Sequence, residues 1–198
     1  MKETRFGKKF WESKWKNGET GWDIGEVSPP LKLYIDQLKN YKQHILIPGC
    51  GQCYEAAYLH QKGFTNVHTL DLSTIALEKF KEANPNFPKE YVHNEDFFDH
   101  KGEYDLILEQ TFFCALEPAQ RKDYVHKMYS LLKPGGKLVG LLFDDPLSKD
   151  RPPFGGSKTE YLNYFSHKLK VDLMETAHNS ILPRRGRELF FICTKPVD

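Results

Sequence analysis

Ile45-Leu46-Ile47-Pro48-Gly49-Cys50-Gly51-Gln52-Cys53-Tyr54-Glu55 is a short apolar run that breaks into a Gly-x-Gly turn, and roughly twenty residues on comes Thr69-Leu70-Asp71-Leu72-Ser73. A strand, a glycine turn and an acid ending the next strand have the spacing of a nucleotide-binding βα turn with its ribose-gripping carboxylate. The glycines let the backbone approach a ligand at the mouth of a strand, and the acid accepts both ribose hydroxyl hydrogens. Alone, Gly-x-Gly also describes an ordinary tight turn. Joined to Asp71 it points to a nucleoside-bearing cofactor.

A dinucleotide site wants a third glycine where the helix packs on the strand beside a pyrophosphate. That position is Tyr54, and Glu55 follows it in the first helical turn. A carboxylate there repels a pyrophosphate but can take the ammonium of an amino-acid moiety. S-adenosylmethionine fits this inversion of charge, being a nucleoside without phosphate that carries a sulfonium and an α-amino group. Tyr54 and Glu55 thus disfavour a nicotinamide dehydrogenase.

Outward from the turn, strands expected at His44–Ile47, Val67–Asp71, Glu90–Val92, Tyr104–Glu109 and Lys137–Phe143 alternate with amphipathic helices at Tyr54–Lys62, Thr74–Ala83 and Pro118–Leu132. Lys133-Pro134-Gly135-Gly136 reads as a helix stop. The alternation predicts an α/β fold, a parallel sheet covered on both faces. A helix is expected over Tyr161–Phe165, and strands at Val171–Thr176 and Glu188–Thr194 are expected to form an antiparallel hairpin that finishes the sheet. The length of 198 residues suits one domain, with residues 1–40 as an aromatic N-terminal cap and 41–198 as the sheet core.

All three tryptophans, Trp11, Trp15 and Trp22, fall in that cap, beside Phe10 and Leu31. A core-packing aromatic stripe accounts for them; so does a lid over a cationic sulfonium, which attracts indole faces and must be shielded from water. Lys and Arg number 28 against 27 Asp and Glu, a net charge of +1, so no overall field recruits nucleic acid or an anionic membrane. A small-molecule substrate is the expected partner, with protein partners left open. The absence of a long apolar stretch or signal-like opening places the chain in the cytoplasm as an expectation.

Of four cysteines, Cys50 and Cys53 have C-x-x-C spacing, a redox or zinc half-site, yet both lie in the glycine turn already explained by ligand approach. Cys114 and Cys193 sit in apolar runs, as buried small hydrophobes do. The eight histidines are scattered without metal-ligand spacing, so no metal is expected.

The chain resembles the thiopurine and thiol/halide methyltransferase family of class I S-adenosylmethionine-dependent enzymes. The resemblance covers nearly the whole chain and rests on Phe10-Trp11-x-x-x-Trp15, Thr20-Gly21-Trp22-Asp23-x-Gly25, Pro48-Gly49-Cys50-Gly51, Leu70-Asp71-Leu72-Ser73, Asp96-Phe97-Phe98, Tyr104-Asp105-Leu106-Ile107, Thr111-Phe112-Phe113-Cys114-Ala115-Leu116, Leu132-Lys133-Pro134-Gly135-Gly136 and Pro183-Arg184-Arg185-Gly186-Arg187-Glu188. It implies a Rossmann-like, doubly wound, mostly parallel seven-stranded sheet with an antiparallel C-terminal hairpin and a helical N-terminal cap. It further implies S-adenosylmethionine held by Trp11, Trp15 and Trp22 above, Gly49 at the methionine part, Asp71 at the ribose, and Asp96 and Phe97 at the adenine, with Gly51 and Leu72 as further expected contacts of the cofactor. Glu55 and Gln110 complete the expected cofactor set; the plant-type branch commonly has tyrosine at the latter position and glycine where Cys53 stands.

A soft anion displacing a sulfonium methyl in line needs no general base, and none with a supporting motif is visible. Thiopurines, small thiols, thiocyanate and iodide are all compatible acceptors. Expected pocket walls are Phe112, Phe113 and Phe154, with Arg185 drawing in an anion; solvated turns and ordinary core account for the same residues. Asp150-Arg151-Pro152-Pro153-Phe154 is similar to the signature of amino-group methyltransferases but follows the fifth strand, not the fourth, and suits a closing loop. A catalytically silent S-adenosylmethionine-binding module is the alternative.

Overall fold

The computed structural model describes residues 5–197. Helices α1 (Lys8–Asn17) and α2 (Pro29–Asp36) precede β1 (Ile45–Pro48), α3 (Tyr54–Gln61), β2 (Val67–Leu70), α4 (Thr74–Ala83), β3 (Val92–His93) and β4 (Tyr104–Gln110). Then come α5 (Arg121–Leu131), β5 (Leu132–Phe143), α6 (Lys158–Phe165), β6 (Lys170–Thr176) and β7 (Glu188–Thr194). The seven strands lie in the order β3-β2-β1-β4-β5-β7-β6. β7 runs antiparallel to both neighbours, and every other pair is parallel.

Period-two alternation sends successive strand residues to opposite faces. Leu46, Ile107, Leu138 and Phe191 enter one core with Tyr124 and Met128 of α5 and Phe165 of α6. Ile45, Ile47, Leu106, Leu108 and Val139 enter the other with Leu31 and Ile35 of α2, Leu59 of α3 and Phe80 of α4. The segment before residue 40 therefore supplies a covering helix of the sheet as well as the aromatic helix α1. Ser73 caps α4 by accepting from Ala76 N at 3.2 Å, which fixes where that helix leaves β2.

Several boundaries differ from expectation. Lys89–Tyr91 is a 3-10 turn, so β3 is only Val92–His93. Pro118–Gln120 is also a 3-10 turn, and α5 begins at Arg121. The Pro-Gly-Gly segment ends α5 yet belongs to β5, whose register against β4 jumps from Tyr104↔Leu132 to Leu106↔Lys137. Gly135 at φ +78° takes the bend in that irregular stretch, with its N–H on Lys195 O at 2.9 Å.

β1 lies between β2 and β4, so the chain leaves it toward both halves of the sheet and a crevice opens beyond the strands' carboxyl ends. At the β2/β3 side the His68 and His93 rings stack at 5.3 Å, and the His44 ring stacks on His68 at 6.4 Å. Burial, followed by the neighbouring imidazoles, pushes His68 down to about 4 and lowers His93.

Candidate active site

The glycine turn bends because Gly49 and Gly51 adopt φ +58° and +54°, a region that disfavours side chains. Close approach matters as much: a Cβ on Gly49 would lie 2.2 Å from Phe112 Cδ2, and one on Gly51 would lie 3.2 Å from Trp15 Cζ2. Cys53, at φ +53°, starts α3 and is joined to Cys50 by a disulfide across the turn. Cys114 and Cys193 are free and buried, as expected.

Asp71 locks the turn to the end of β2. Its Oδ2 accepts from Gly51 N and its Oδ1 from Ser73 N, both at 2.8 Å. Each carboxylate oxygen keeps a further lone pair, and the residue lines the crevice. Burial raises its pKa, opposed by those two backbone donors.

Helix α1 roofs the turn. Trp22 meets Trp11 edge-to-face at 5.4 Å and Trp15 at 5.8 Å, the geometry aromatic quadrupoles favour. Polar ties hold this roof: Thr74 N donates to Glu12 Oε1 at 2.6 Å, Gln52 Nε2 to Asp23 Oδ2 at 2.7 Å, and Arg184 Nη2 to Trp22 O at 2.6 Å.

Between roof and sheet edge lies a cavity of about 1300 Å³. Its carboxylates are Glu19 in the cap and Asp71, Glu95 and Asp96 around β2 and β3; its guanidiniums include Arg151, Arg184 and Arg187 near β5 and β7. Five strand spacings separate β3 from β7, roughly 24 Å, so the ends of the crevice differ in charge. Phe6, Phe10, Phe112 and Phe143 supply apolar wall. The floor turns at Thr111, whose φ of +56° is unusual for a β-branched residue. Glu109 holds that bend: its Oε1 accepts from Phe112 N at 2.8 Å and Phe113 N at 2.9 Å. Gly140 opposite leaves room for the Glu109 side chain, because a Cβ there would lie 2.7 Å from Glu109 Cβ.

Of the residues singled out from sequence, Trp11, Trp15, Trp22, Gly49, Gly51, Asp71, Leu72, Asp96, Phe97 and Phe112 are brought together on this cavity. Five are not among its lining residues. Glu55 is buried and accepts from Ser28 N at 3.2 Å; its burial raises its pKa, which suits a bracket for the cap rather than a free anion. Gln110 has its Oε1 buried without a hydrogen-bond partner among the described residues. Phe113 is 1% exposed and packs on Tyr124, Tyr161 and Phe165 in the core. Phe154 is buried with its N–H on Cys114 O at 2.7 Å, while Arg151, Pro152 and Pro153 of the same loop form the wall. Arg185 is exposed away from the cavity; its neighbours Arg184 and Arg187 line it. The 3-10 turn Leu182–Arg184 and the ion pairs Arg184–Glu188 and Arg187–Asp145 select which arginine faces inward. Charge composition marks that cluster but not its facing. Phe6, Glu95 and Phe143 carried no sequence signal.

The family model described as Thiopurine S-methyltransferase matches residues 6–191. "Probable thiol methyltransferase 2" of Arabidopsis thaliana is 33% identical over 185 residues, 90% of this chain and 81% of that protein. "Thiocyanate methyltransferase 1" of Brassica oleracea is 32% identical with the same coverage of each chain. Among solved structures, the Burkholderia thailandensis 1,6-didemethyltoxoflavin-N1-methyltransferase with bound S-adenosylhomocysteine superposes with a TM-score of 0.76 at 16% identity, covering 96% of this chain and 87% of that one.

Proposed function

The chain belongs to the thiopurine S-methyltransferase family, and from that premise we propose that it methylates a small, soft anion such as a thiolate, bisulfide, thiocyanate or halide. It is a methyltransferase that uses S-adenosylmethionine. When bound, this cofactor supplies a sulfonium methyl whose carbon–sulfur bond breaks as the acceptor's bond forms, leaving S-adenosylhomocysteine. The chain's own share is to bind, align and keep out water.

The residues fit such a ligand. The slot kept open by Gly49 and Gly51 offers bare backbone to the methionine part. In this reading Asp71 uses its remaining lone pairs on the ribose hydroxyls, with Leu72 beside them, and Asp96 and Phe97 take the adenine. Trp11, Trp15 and Trp22 face the sulfonium and exclude water from it. Glu55, Gln110, Phe113 and Phe154 act behind these walls rather than on the ligand, and Arg185 stands outside the cavity.

The acceptor end carries the choice of substrate class. Arg151 has no salt-bridge partner among the described residues, and with Arg184 and Arg187 it faces a lobe walled by phenylalanines. The cavity's carboxylates belong to the cap and to the nucleoside end. Glu109, behind the floor, is wholly buried. A lobe with cations and no base suits an acceptor that arrives already anionic.

S-adenosylhomocysteine release measured with bisulfide, thiocyanate, iodide, a thiopurine and a small amine tests this. Turnover with the anions is expected, and Arg151→Ala raises their KM by roughly tenfold without changing the dissociation constant of S-adenosylhomocysteine. Turnover confined to the amine, or a KM indifferent to Arg151, refutes the reading.

A further inference from the structure

His93, Glu95 and His100 each bring one ligand atom to within 4.8 Å of the others. His93 ends β3, Glu95 follows two residues later, and His100 arrives after a tight turn closed by His100 N on Asp96 O at 3.1 Å. Both rings are braced from behind. His93 Nε2 lies 2.9 Å from His68 Nδ1 on the adjacent strand, and His100 Nε2 lies 2.8 Å from the Tyr104 hydroxyl. Such outer contacts fix ring orientation and tautomer in histidines that bind metal. The Glu95 carboxylate reaches His100 Nδ1 at 2.6 Å and is 45% exposed, while the His100 ring is only 2% exposed. One ligand thus opens to solvent, and the others are set in rigid surroundings.

We propose that these three side chains hold a divalent transition-metal ion of the zinc type, bound through a ring nitrogen of His93, Nδ1 of His100 and the carboxylate of Glu95. Two imidazoles with one carboxylate suit zinc, cobalt or nickel, whereas magnesium and calcium take oxygen ligands. Three protein ligands leave a fourth, solvent-facing position for water. Without metal, a proton on His100 Nδ1 serves Glu95. With metal bound, the ring proton sits on Nε2, where the Tyr104 oxygen accepts it, and the Nδ1 lone pair is free.

The ion's place gives it a structural role beside the methyl-transfer crevice. It ties the end of β3 to the far side of the turn that presents Asp96 and Phe97. Asn94, between the ligands, already bonds Asp71 O at 2.9 Å and Leu72 O at 3.1 Å, and Glu95 itself lines the cavity. The sequence spacing His-x-Glu-x4-His shows none of this, because the bracing residues His68 and Tyr104 come from other strands.

Calorimetric titration of the purified full-length chain with Zn²⁺, and the absorption spectrum of its Co²⁺ complex, test the proposal. One ion per chain, a cobalt spectrum with nitrogen and oxygen ligands only, and at least tenfold weaker binding in both Glu95→Gln and His100→Gln are expected. Glu95→Gln alters an exposed side chain and keeps the test valid should His100→Gln fail to fold; the exposed His126→Gln serves as control and binds normally. Three results each overturn the assignment: a dissociation constant above about 1 mM, unchanged binding in Glu95→Gln, or a thiolate-to-cobalt band, which would put a cysteine among the ligands.

Discussion

Glu109→Gln isolates the electrostatic cost of the group that shapes the cavity floor. Glu109 is fully buried, its Oε1 accepts two backbone N–H groups, and its Oε2 has no partner among the described residues. Burial pushes its pKa up to about 7, with the two backbone donors opposing and the Glu188 charge assisting. Below pH 4.5 the acid is protonated in both folded and unfolded chains. As pH rises from there to about 7, the unfolded chain releases the proton while the fold retains it. Stability therefore falls by up to about 1.4 kcal/mol per pH unit in that window, and by about 3 kcal/mol in total. Above it the penalty is constant. Protonated Glu and Gln are both neutral and nearly isosteric, each keeping a carbonyl oxygen to accept the two backbone N–H groups, so the variant matches the parent closely at low pH. Urea unfolding of both proteins should give equal stabilities near pH 4 and a variant more stable by about 3 kcal/mol at pH 8. His68 titrates in the opposite sense, since its lowered pKa removes stability as pH falls below its ordinary 6.5, but it is common to both proteins and cancels. A difference that does not change with pH would refute the buried-acid reasoning.

Two substitutions probe the proposed cofactor end. Asp71→Asn sets an amide N–H₂ against one of two backbone donors, losing a hydrogen bond to a charged acceptor of about 1.5–3 kcal/mol; S-adenosylhomocysteine affinity by calorimetry should fall at least tenfold, and an unchanged value would remove Asp71 from the site. Gly49→Ala drives a methyl into the Phe112 ring from a backbone at φ +58°, which should cost about 1–3 kcal/mol in urea unfolding and weaken ligand binding, and a variant of parental stability would show that the turn tolerates a side chain.

Features set by neighbouring residues were legible in the chain. The Gly49/Gly51 turn and Asp71 declared themselves because backbone freedom and a strand-end acid are local properties. Apolar strands such as Ile45–Ile47 and Leu106–Leu108, alternating with amphipathic helices, likewise announced a sheet covered on both faces. The span of β3 differs from expectation because Tyr91, which reads with Val92 as strand, closes the 3-10 turn Lys89–Tyr91 instead. Phe113 and Phe112 are adjacent in sequence, yet one enters the core and the other the cavity wall. The left-handed bend at Thr111 and the grip of Glu109 decide between them, and neither is written in hydrophobicity.

By itself the sequence determined the α/β class, the glycine turn and the aromatic cap, since each follows from local conformational preference and from the period of apolar residues. Tertiary structure alone decided that Glu55 is a buried bracket, that Arg184 and Arg187 rather than Arg185 line the cavity, and that His68, His93 and His100 converge. Those outcomes depend on strand register and on loop paths that join residues far apart in the chain. No short stretch of residues contains that information.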